Sequence, residues 1–235
     1  MPLKMDENET KIRRILRTPS IFNWARILRP RTDQTCFQIE RLAEGEVRRS
    51  LRPAYRLCRQ MALREKSFEE CLEKASGYEG FAHDSSTELV ELLHQYLTLN
   101  QIEVVPEFKD RLFRFPIGKS PTGGMLTVPT NPDFVTIRGE TLEPNFLLGW
   151  SSDPFKANQY HLVSSIIKIA VLSREDFRGC DARIITFRRD PWSGKRICKS
   201  WLVSQFPDVP PHFVNGEILR YNNALLQVFE KLQGS

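Results

Sequence analysis

The chain has 235 residues, and its 34 Lys and Arg outnumber its 29 Asp and Glu, which gives a formal net charge of +5. Hydrophobic residues make up 40% of the chain and charged residues 27%, a balance that excludes a mainly disordered or low-complexity chain. No apolar stretch approaches the roughly 18 residues that cross a bilayer, and the N-terminal sequence MPLKMDENETK has no apolar signal core. We therefore expect an intracellular globular protein with no membrane partner.

The positive charge is concentrated near the N-terminus. Residues 11–64 contain 14 basic residues, 13 of them Arg, against four acidic residues. This segment has a local net charge of +10, which leaves −5 for the rest of the chain because the total is +5. The total therefore hides two oppositely charged parts, and their separation bears on the choice of partner.

Residues 1–76 are predicted to form a basic helical arm. Thr18 before Pro19 is typical of a helix start, with apolar residues following at helical spacing. Pro53 opens another helix, and Ser-Phe-Glu-Glu at residues 67–70 is a capping box that opens a third. The arm is separated from the rest of the chain by a glycine-bounded segment before residue 85.

Residues 85–235 are predicted to form an α+β domain. A capping box at residues 85–88 opens a helix, and further helices are predicted at about residues 158–172 and at the C-terminus. The extended segments, bounded by Gly, Pro and Asn, are residues 102–108, 111–117, 133–138, 145–150, 182–187 and 197–203. The last two form a hairpin. The predicted fold class is therefore α+β, with an N-terminal helical arm, a mixed-sheet core and a C-terminal helix.

Two acidic residues lie where carboxylates can meet at one edge of the predicted sheet. Asp133 follows Pro132 at the start of a predicted strand, and Glu88 lies on the helix before the sheet. Two such carboxylates could hold Mg²⁺, which polarises a phosphodiester and activates water. Through these residues and the order of its elements, the chain resembles the PD-(D/E)XK nuclease-like superfamily over roughly residues 85–190.

The resemblance implies an α-β-β-β-α-β core, Mg²⁺ as cofactor and DNA as partner. The superfamily has an acid-x-Lys motif on the strand after Pro-Asp, where this chain has the sequence NFLLGWSS from residue 145 and neither motif residue. Nearby acids would assist with the metal, and a lysine in the following helix would support the attacking water. The resemblance thus implies Glu88, Asp133 and Lys156 as catalytic residues, and Glu88, Asp133, Glu143 and Asp153 as metal ligands.

Each of these residues also has a structural interpretation. Glu88 is the last residue of a predicted capping box, and Asp133 after proline is a common turn acid. Asp153 can cap the helix that begins near Lys156. These alternatives need no metal and no catalysis.

The basic residues form two clusters suited to nucleic acid. Guanidinium groups bind phosphates in a bidentate manner, and cations beside Trp192 and Trp201 on the late hairpin suit a nucleic-acid strand. The predicted nucleic-acid-binding residues are Arg13, Arg14, Arg17, Arg26, Arg29, Arg48, Arg49, Arg52, Arg188, Arg189, Lys195 and Arg196. The alternative is that the arginines of the arm pair with acidic groups of the rest of the chain or of a partner.

Cysteine usage bears on the compartment. The five cysteines are widely spaced and include no C-x-x-C pair, which favours free thiols in a reducing compartment such as the cytoplasm or nucleus.

Three hypotheses for function stay open: a Mg²⁺-dependent endonuclease, a catalytically degenerate DNA-binding or assembly module, and a protein-interaction subunit or homodimer whose arginines bind an acidic partner.

Overall fold

The computed structural model describes residues 7–45, 50–108, 111–152 and 155–234, a part of the chain with eight α-helices and seven strands. The helices are α1 (Glu7–Leu16), α2 (Ile21–Ile27), α3 (Thr32–Ala43), α4 (Arg52–Ala62), α5 (Phe68–Ser76), α6 (Gly80–Leu99), α7 (Ala157–Ile167) and α8 (Pro211–Gln233). The strands are β1 (Glu103–Val104), β2 (Arg114–Lys119), β3 (Met125–Pro129), β4 (Phe134–Arg138), β5 (Thr141–Leu148), β6 (Arg183–Arg189) and β7 (Arg196–Leu202). The predicted α+β fold class is confirmed.

The main sheet has five strands in the order β1-β4-β5-β6-β7. Neighbouring strands are antiparallel except β5 and β6, which are parallel and are connected through α7 and a π-helical turn at Lys168–Leu172. Because β5 and β6 run in the same direction, their carboxyl ends lie at the same edge of the sheet. That edge is the usual place for ligand sites beside parallel strands.

Hydrophobic residues cover both faces of the sheet, and the N-terminal helices contribute to both. Successive side chains of a strand point to opposite faces. Phe146 of β5 belongs to a buried cluster with Trp24 of α2, whereas its neighbour Leu147 belongs to a second cluster with Leu57 of α4. The division predicted between residues 1–76 and 85–235 therefore does not coincide with a boundary between hydrophobic cores.

Of the two predicted capping boxes, one is present. Ser67 and Glu70 make both hydrogen bonds of a capping box at the start of α5, as predicted. The second prediction is wrong, because α6 begins at Gly80 and Ser85 lies inside it, donating its hydroxyl to the Phe81 carbonyl oxygen at 2.5 Å. Such bonding to the preceding turn is available to any serine within a helix. Glu88 is consequently not a capping residue.

The prediction from the sequence did not include one strand, β3, and made another strand, β1, too long. β3 pairs with β2 in a separate two-stranded sheet, whose register shifts between Pro116 and Gly118. The segment predicted as a strand at residues 102–108 is a strand only over its first part, because Pro106 cannot donate to a ladder and begins a 3₁₀ turn. Within the described ranges, no helix is both long enough and apolar enough to cross a membrane.

Candidate functional site

A cleft of about 730 Å³ opens where the chain leaves the carboxyl end of β5. Residues 149–152 form one side of it, α2 and the following loop form a second side, and the start of α4 forms a third. The described residues that line the cleft are Asn23, Arg26, Arg29, Ser50, Leu51, Arg52, Tyr55, Phe81, Gly149, Trp150, Ser151, Ser152 and Arg196. Its volume is within the range of small-ligand sites, roughly 300–1,000 Å³.

The charge of the cleft is one-sided. Four arginines line it, and none of its described lining residues is acidic. Arg26 and Arg29 come from α2 and the loop after it, Arg52 from the first residue of α4, and Arg196 from the first residue of β7. Cations gathered between low-dielectric walls focus a positive potential, which attracts anions. Of the predicted nucleic-acid-binding residues, the fold thus brings these together although they are far apart in the sequence.

An aromatic surface accompanies the arginines. The guanidinium carbon of Arg26 lies 4.8 Å from the centroid of the Trp150 ring, a cation–π contact. Trp150 also packs edge-on against Phe155, with ring centroids 5.4 Å apart. The indole is therefore held by neighbours on both the cleft side and the core side.

Arg196 is fixed in place by three acceptors. Its Nε donates to Oε2 of Glu88 at 2.7 Å, and its Nη1 donates to the carbonyl oxygens of Gly149 and Phe187, each at 2.7 Å. The side chain is 2% exposed, yet the residue lines the cleft. Arg196 thus holds the carboxyl ends of β5 and β6 together at the cleft edge, and Glu88 compensates its charge.

Glu88 accepts hydrogen bonds from two arginines. Besides Arg196, it accepts hydrogen bonds at 2.9 and 2.8 Å from Nη2 of Arg189, the last residue of β6. These three hydrogen bonds occupy both carboxylate oxygens. The sequence spacing offered no signal for this cluster, because its members are about a hundred residues apart along the chain.

Tyr55 and Gly149 meet at the position where the resemblance would place the acid-x-Lys motif. The Gly149 N–H donates to the Tyr55 hydroxyl at 2.8 Å. A Cβ at Gly149 would lie 2.6 Å from Cδ2 of the buried Leu89, so the close packing of α4 and α6 against this turn requires glycine. Burial raises the pKa of Tyr55, which keeps the hydroxyl protonated.

Asp133 stabilises the same edge from β4. Its Oδ2 accepts the Leu147 N–H at 2.7 Å, while its own N–H donates to the Asn145 carbonyl oxygen at 2.8 Å. Burial raises the pKa of the Asp133 carboxyl to about 6, although the hydrogen bond from Leu147 and the charge of Arg59 both act to lower it. The carboxyl therefore extends the β4–β5 pairing by one residue.

Glu143 is engaged elsewhere on β5. It forms a buried bidentate ion pair with Arg183, with Nε–Oε1 and Nη2–Oε2 distances of 2.7 and 2.9 Å. It lies four residues before Leu147 on an extended strand, which places it roughly 13 Å from the Asp133 contact. The structure does not bring Glu143 together with Asp133, contrary to the expected ligand set.

Lys156 is not part of the cleft. It is an exposed residue that precedes α7, and it lines a smaller cavity of about 250 Å³ together with Arg29. The predicted metal ligand Asp153 and the predicted nucleic-acid-binding residues Arg48 and Arg49 lie outside the described residues.

The remaining basic residues of the prediction are dispersed. Arg13 pairs with Glu9 within α1, and Arg14 donates to the Ala43 carbonyl oxygen at the end of α3. Arg17 is exposed just beyond α1. None of these three lines the cleft, whereas Arg188, Arg189 and Lys195 lie on the hairpin beside it.

The described donor set does not fit Mg²⁺. Both oxygens of Glu88 accept hydrogen bonds from arginines, and Oδ2 of Asp133 accepts one from the backbone. Mg²⁺ requires near-octahedral coordination by oxygen ligands. Across the described ranges, no group of three His, Cys, Asp or Glu side chains could hold a metal ion.

Compared with known proteins, the chain matches no family model, no curated protein and no solved structure. The fold and the site define a mixed α+β protein with an arginine-lined cleft at the carboxyl end of β5.

Proposed function

We propose that the protein is a DNA-binding module that holds phosphates of one strand in the arginine-lined cleft and does not cleave them through Mg²⁺. The observation that carries this proposal is the convergence of Arg26, Arg29 and Arg52 on one cleft with no acidic residue among its described lining. Phosphate backbones supply the charge that such a cleft lacks.

The details of the cleft favour a nucleic acid over an acidic protein. Planar guanidinium groups bind phosphates and carboxylates alike in two-point contacts, so the arginines by themselves fit either partner, and Asn23, Ser151 and Ser152 add neutral hydrogen-bonding groups. The Arg26–Trp150 pair adds an aromatic surface, as strand-binding proteins use for bases. Carboxylate side chains of a protein would need no such surface.

The ion pair between Glu88 and the hairpin arginines supports the noncatalytic form of the hypothesis. In this arrangement Glu88 orients Arg189 and Arg196 and has no carboxylate oxygen left without a hydrogen bond. The cleft then binds the strand, and Glu88, which the resemblance implies to be catalytic, supports the residues beside the cleft.

Fluorescence anisotropy with a labelled oligonucleotide tests the proposal over a series of salt concentrations. We expect log Kd to change linearly with log salt, and the R26Q/R52Q variant to bind about 10-fold more weakly with a slope smaller by about 1 to 2. The R174Q/R178Q variant is the matched control, because it removes the same charge from exposed residues that do not line the cleft.

Two results would overturn the proposal. One is a Kd of R26Q/R52Q equal to that of the parent, when R26Q/R52Q and R174Q/R178Q both have the circular dichroism spectrum of the parent. The other is an affinity that salt does not change, which would favour the alternative of a protein partner.

A further inference from the structure

Trp192 is the most exposed large hydrophobic side chain among the described residues. It lies in the turn between β6 and β7, and 96% of it is accessible to solvent. The neighbouring turn residues Pro191, Ser193 and Gly194 are exposed as well and offer it no apolar cover. A fully exposed indole leaves a large apolar area in water, which marks it as a contact for a ligand or partner.

The turn that carries Trp192 is held by its own hydrogen bonds. The carboxylate of Asp190 accepts the N–H groups of Trp192 at 3.0 Å and Ser193 at 2.7 Å. The Asp190 N–H donates to the Lys195 carbonyl oxygen, and the Gly194 N–H donates to the Asp190 carbonyl oxygen. Because these bonds fix the turn beforehand, little ordering remains for a ligand to impose on its backbone.

The base of this hairpin is joined directly to the cleft. The Arg189 N–H donates to the carbonyl oxygen of Ser151, a cleft residue, at 2.8 Å. The Arg189 side chain donates both to the Gly194 carbonyl oxygen in the turn and to Glu88, the partner of Arg196. Trp192 is three residues beyond Arg189, so its backbone lies within roughly 10 Å of the cleft edge.

The charge around the tip matches that of the cleft. Lys195 and Lys199 are exposed on the hairpin, Arg189 is paired with Glu88, and the acid Asp190 is engaged by the backbone of the turn. Hydrogen bonds from Ser193 lower the pKa of Asp190, so its carboxylate remains an acceptor for the turn. The hairpin therefore presents one apolar aromatic surface between cations.

We propose that Trp192 is a base-stacking site for an unpaired base of the strand whose phosphates lie in the cleft. This inference rests on the proposed function and adds a second aromatic contact, outside the cleft, to the Arg26–Trp150 surface. Stacking on an indole accepts every base because each has a π-face, whereas the arginines bind only the backbone. The distance from the cleft edge to the backbone of the tip is at most about three base steps of a strand at 3.4 Å each.

A nucleic acid fits the tip better than a lipid surface does. Interfacial binding to a membrane takes an apolar face or a second anchor, and the turn offers a single indole among Pro191, Ser193 and Gly194. The cations beside Trp192 lead back to a concave cleft, which a flat lipid surface cannot enter. Binding of Trp192 to a lipid surface is one of the outcomes that the experiment below distinguishes.

The experiment compares two single-stranded oligonucleotides of equal length and charge, one with bases throughout and one with abasic sites at its centre. We expect the parent to bind the base-bearing strand about 5- to 100-fold more tightly, the range that base–aromatic stacking supplies. W192A should lose most of this preference, W192F should keep most of it, and the parent and both variants should have the same salt dependence. W201A is the control on the same hairpin, since Trp201 is 37% exposed and lies on β7 away from the tip.

The outcomes separate this inference from the proposed function. If W192A binds both strands with the preference of the parent, the stacking site is refuted while cleft binding stands. If the parent binds neither strand, the proposed function fails first. If Trp192 is instead needed for binding to vesicles of anionic and neutral phospholipids, with no preference between the two strands, the inference is replaced by a lipid contact.

Discussion

Arg196 and Glu88 join the first residue of β7 to the helix α6 through an Nε–Oε2 hydrogen bond of 2.7 Å. The arginine is almost fully buried, whereas the side chain of Glu88 is 32% exposed. A buried guanidinium needs a counter-ion, and its remaining hydrogen bonds go to the carbonyl oxygens of Gly149 at the cleft edge and of Phe187 on β6. The pair therefore fixes the start of β7 against the cleft edge and stabilises the fold.

Removal of Glu88 tests this dual role. We expect E88A to lower the free energy of unfolding by about 3 kcal/mol, because it leaves the buried charge of Arg196 without its partner. Urea unfolding followed by circular dichroism measures the change. Glu91 is exposed one turn later on α6, and we expect E91A to change stability by no more than about 0.5 kcal/mol. Equal stabilities for the two variants would contradict the role of Glu88.

The hydrogen bond between Tyr55 and Gly149 makes a second prediction. Y55F keeps the packing of the ring but leaves the Gly149 N–H without its acceptor, so stability should fall by about 1–3 kcal/mol. Tyr78 offers the control, because its hydroxyl accepts only a long 3.3 Å hydrogen bond from Arg56 at an exposed site. A thermal unfolding scan in which Y55F and Y78F matched the parent equally would refute the contribution of Tyr55.

The Glu143–Arg183 pair should behave as a buried structural ion pair. Both side chains are less than a tenth exposed, and hydrogen bonding to Glu143 raises the pKa of Arg183. E143A should cost about 3–5 kcal/mol of unfolding free energy, because it leaves a buried guanidinium without a counter-ion.

The double variant E143M/R183M is the control for that experiment. It removes both charges and fills the space with apolar side chains, so it should be more stable than E143A. If the losses of E143M and R183M simply add up to the loss of the double variant, the two residues do not act as a pair. Oligonucleotide binding should be unchanged in the double variant, because neither residue lines the cleft.

The raised pKa of Asp133 predicts a dependence of stability on pH. Between the ordinary pKa of 3.8 and the folded value of about 6, the folded protein binds more protons than the unfolded chain. This group therefore lowers stability as pH rises through that window, and the loss is complete above pH 6. In D133N the amide oxygen can still accept the Leu147 N–H and does not ionise.

We expect the stability difference between D133N and the parent to shift in favour of the variant from pH 4 to pH 7. The residue as a whole is half-buried, so solvent screening keeps the shift on the order of 1–2 kcal/mol. Chemical denaturation at both pH values measures it. A difference that stays constant with pH, or moves against the variant, would contradict a raised pKa.

The donor set predicts the effect of Mg²⁺ on the protein alone. A site filled at 100 times its Kd would add about 2.7 kcal/mol to the stability of the folded state. Because the described acids form no such site, we expect Mg²⁺ in the millimolar range to leave Tm unchanged when ionic strength is matched with NaCl. A Tm that rises with Mg²⁺ and stays level in D133A would restore the metal site implied by the resemblance.

Local patterns in the sequence determined several elements of this protein. Ser67 and Glu70 predicted the start of α5, and Pro53 predicted the start of α4, because caps and prolines act within one turn of chain. The α+β class followed from the change between helical and strand-like periodicity, which is also a local property. The arginine enrichment before residue 65 was visible in the composition.

Only the tertiary structure decided which arginines act together and what the acids do. Arg26, Arg52 and Arg196 line the same cleft. Their positions in the sequence do not predict that they lie close together in the fold. Glu88 has the spacing of a capping box, yet α6 begins upstream of it at Gly80. The Glu88 carboxylate instead pairs with arginines at the end of β6 and the start of β7. Long-range ion pairs depend on how the sheet and helices pack, and the spacing of residues in the sequence does not predict that packing. The charge division could be read from the sequence, while its meaning as a cleft came from the fold.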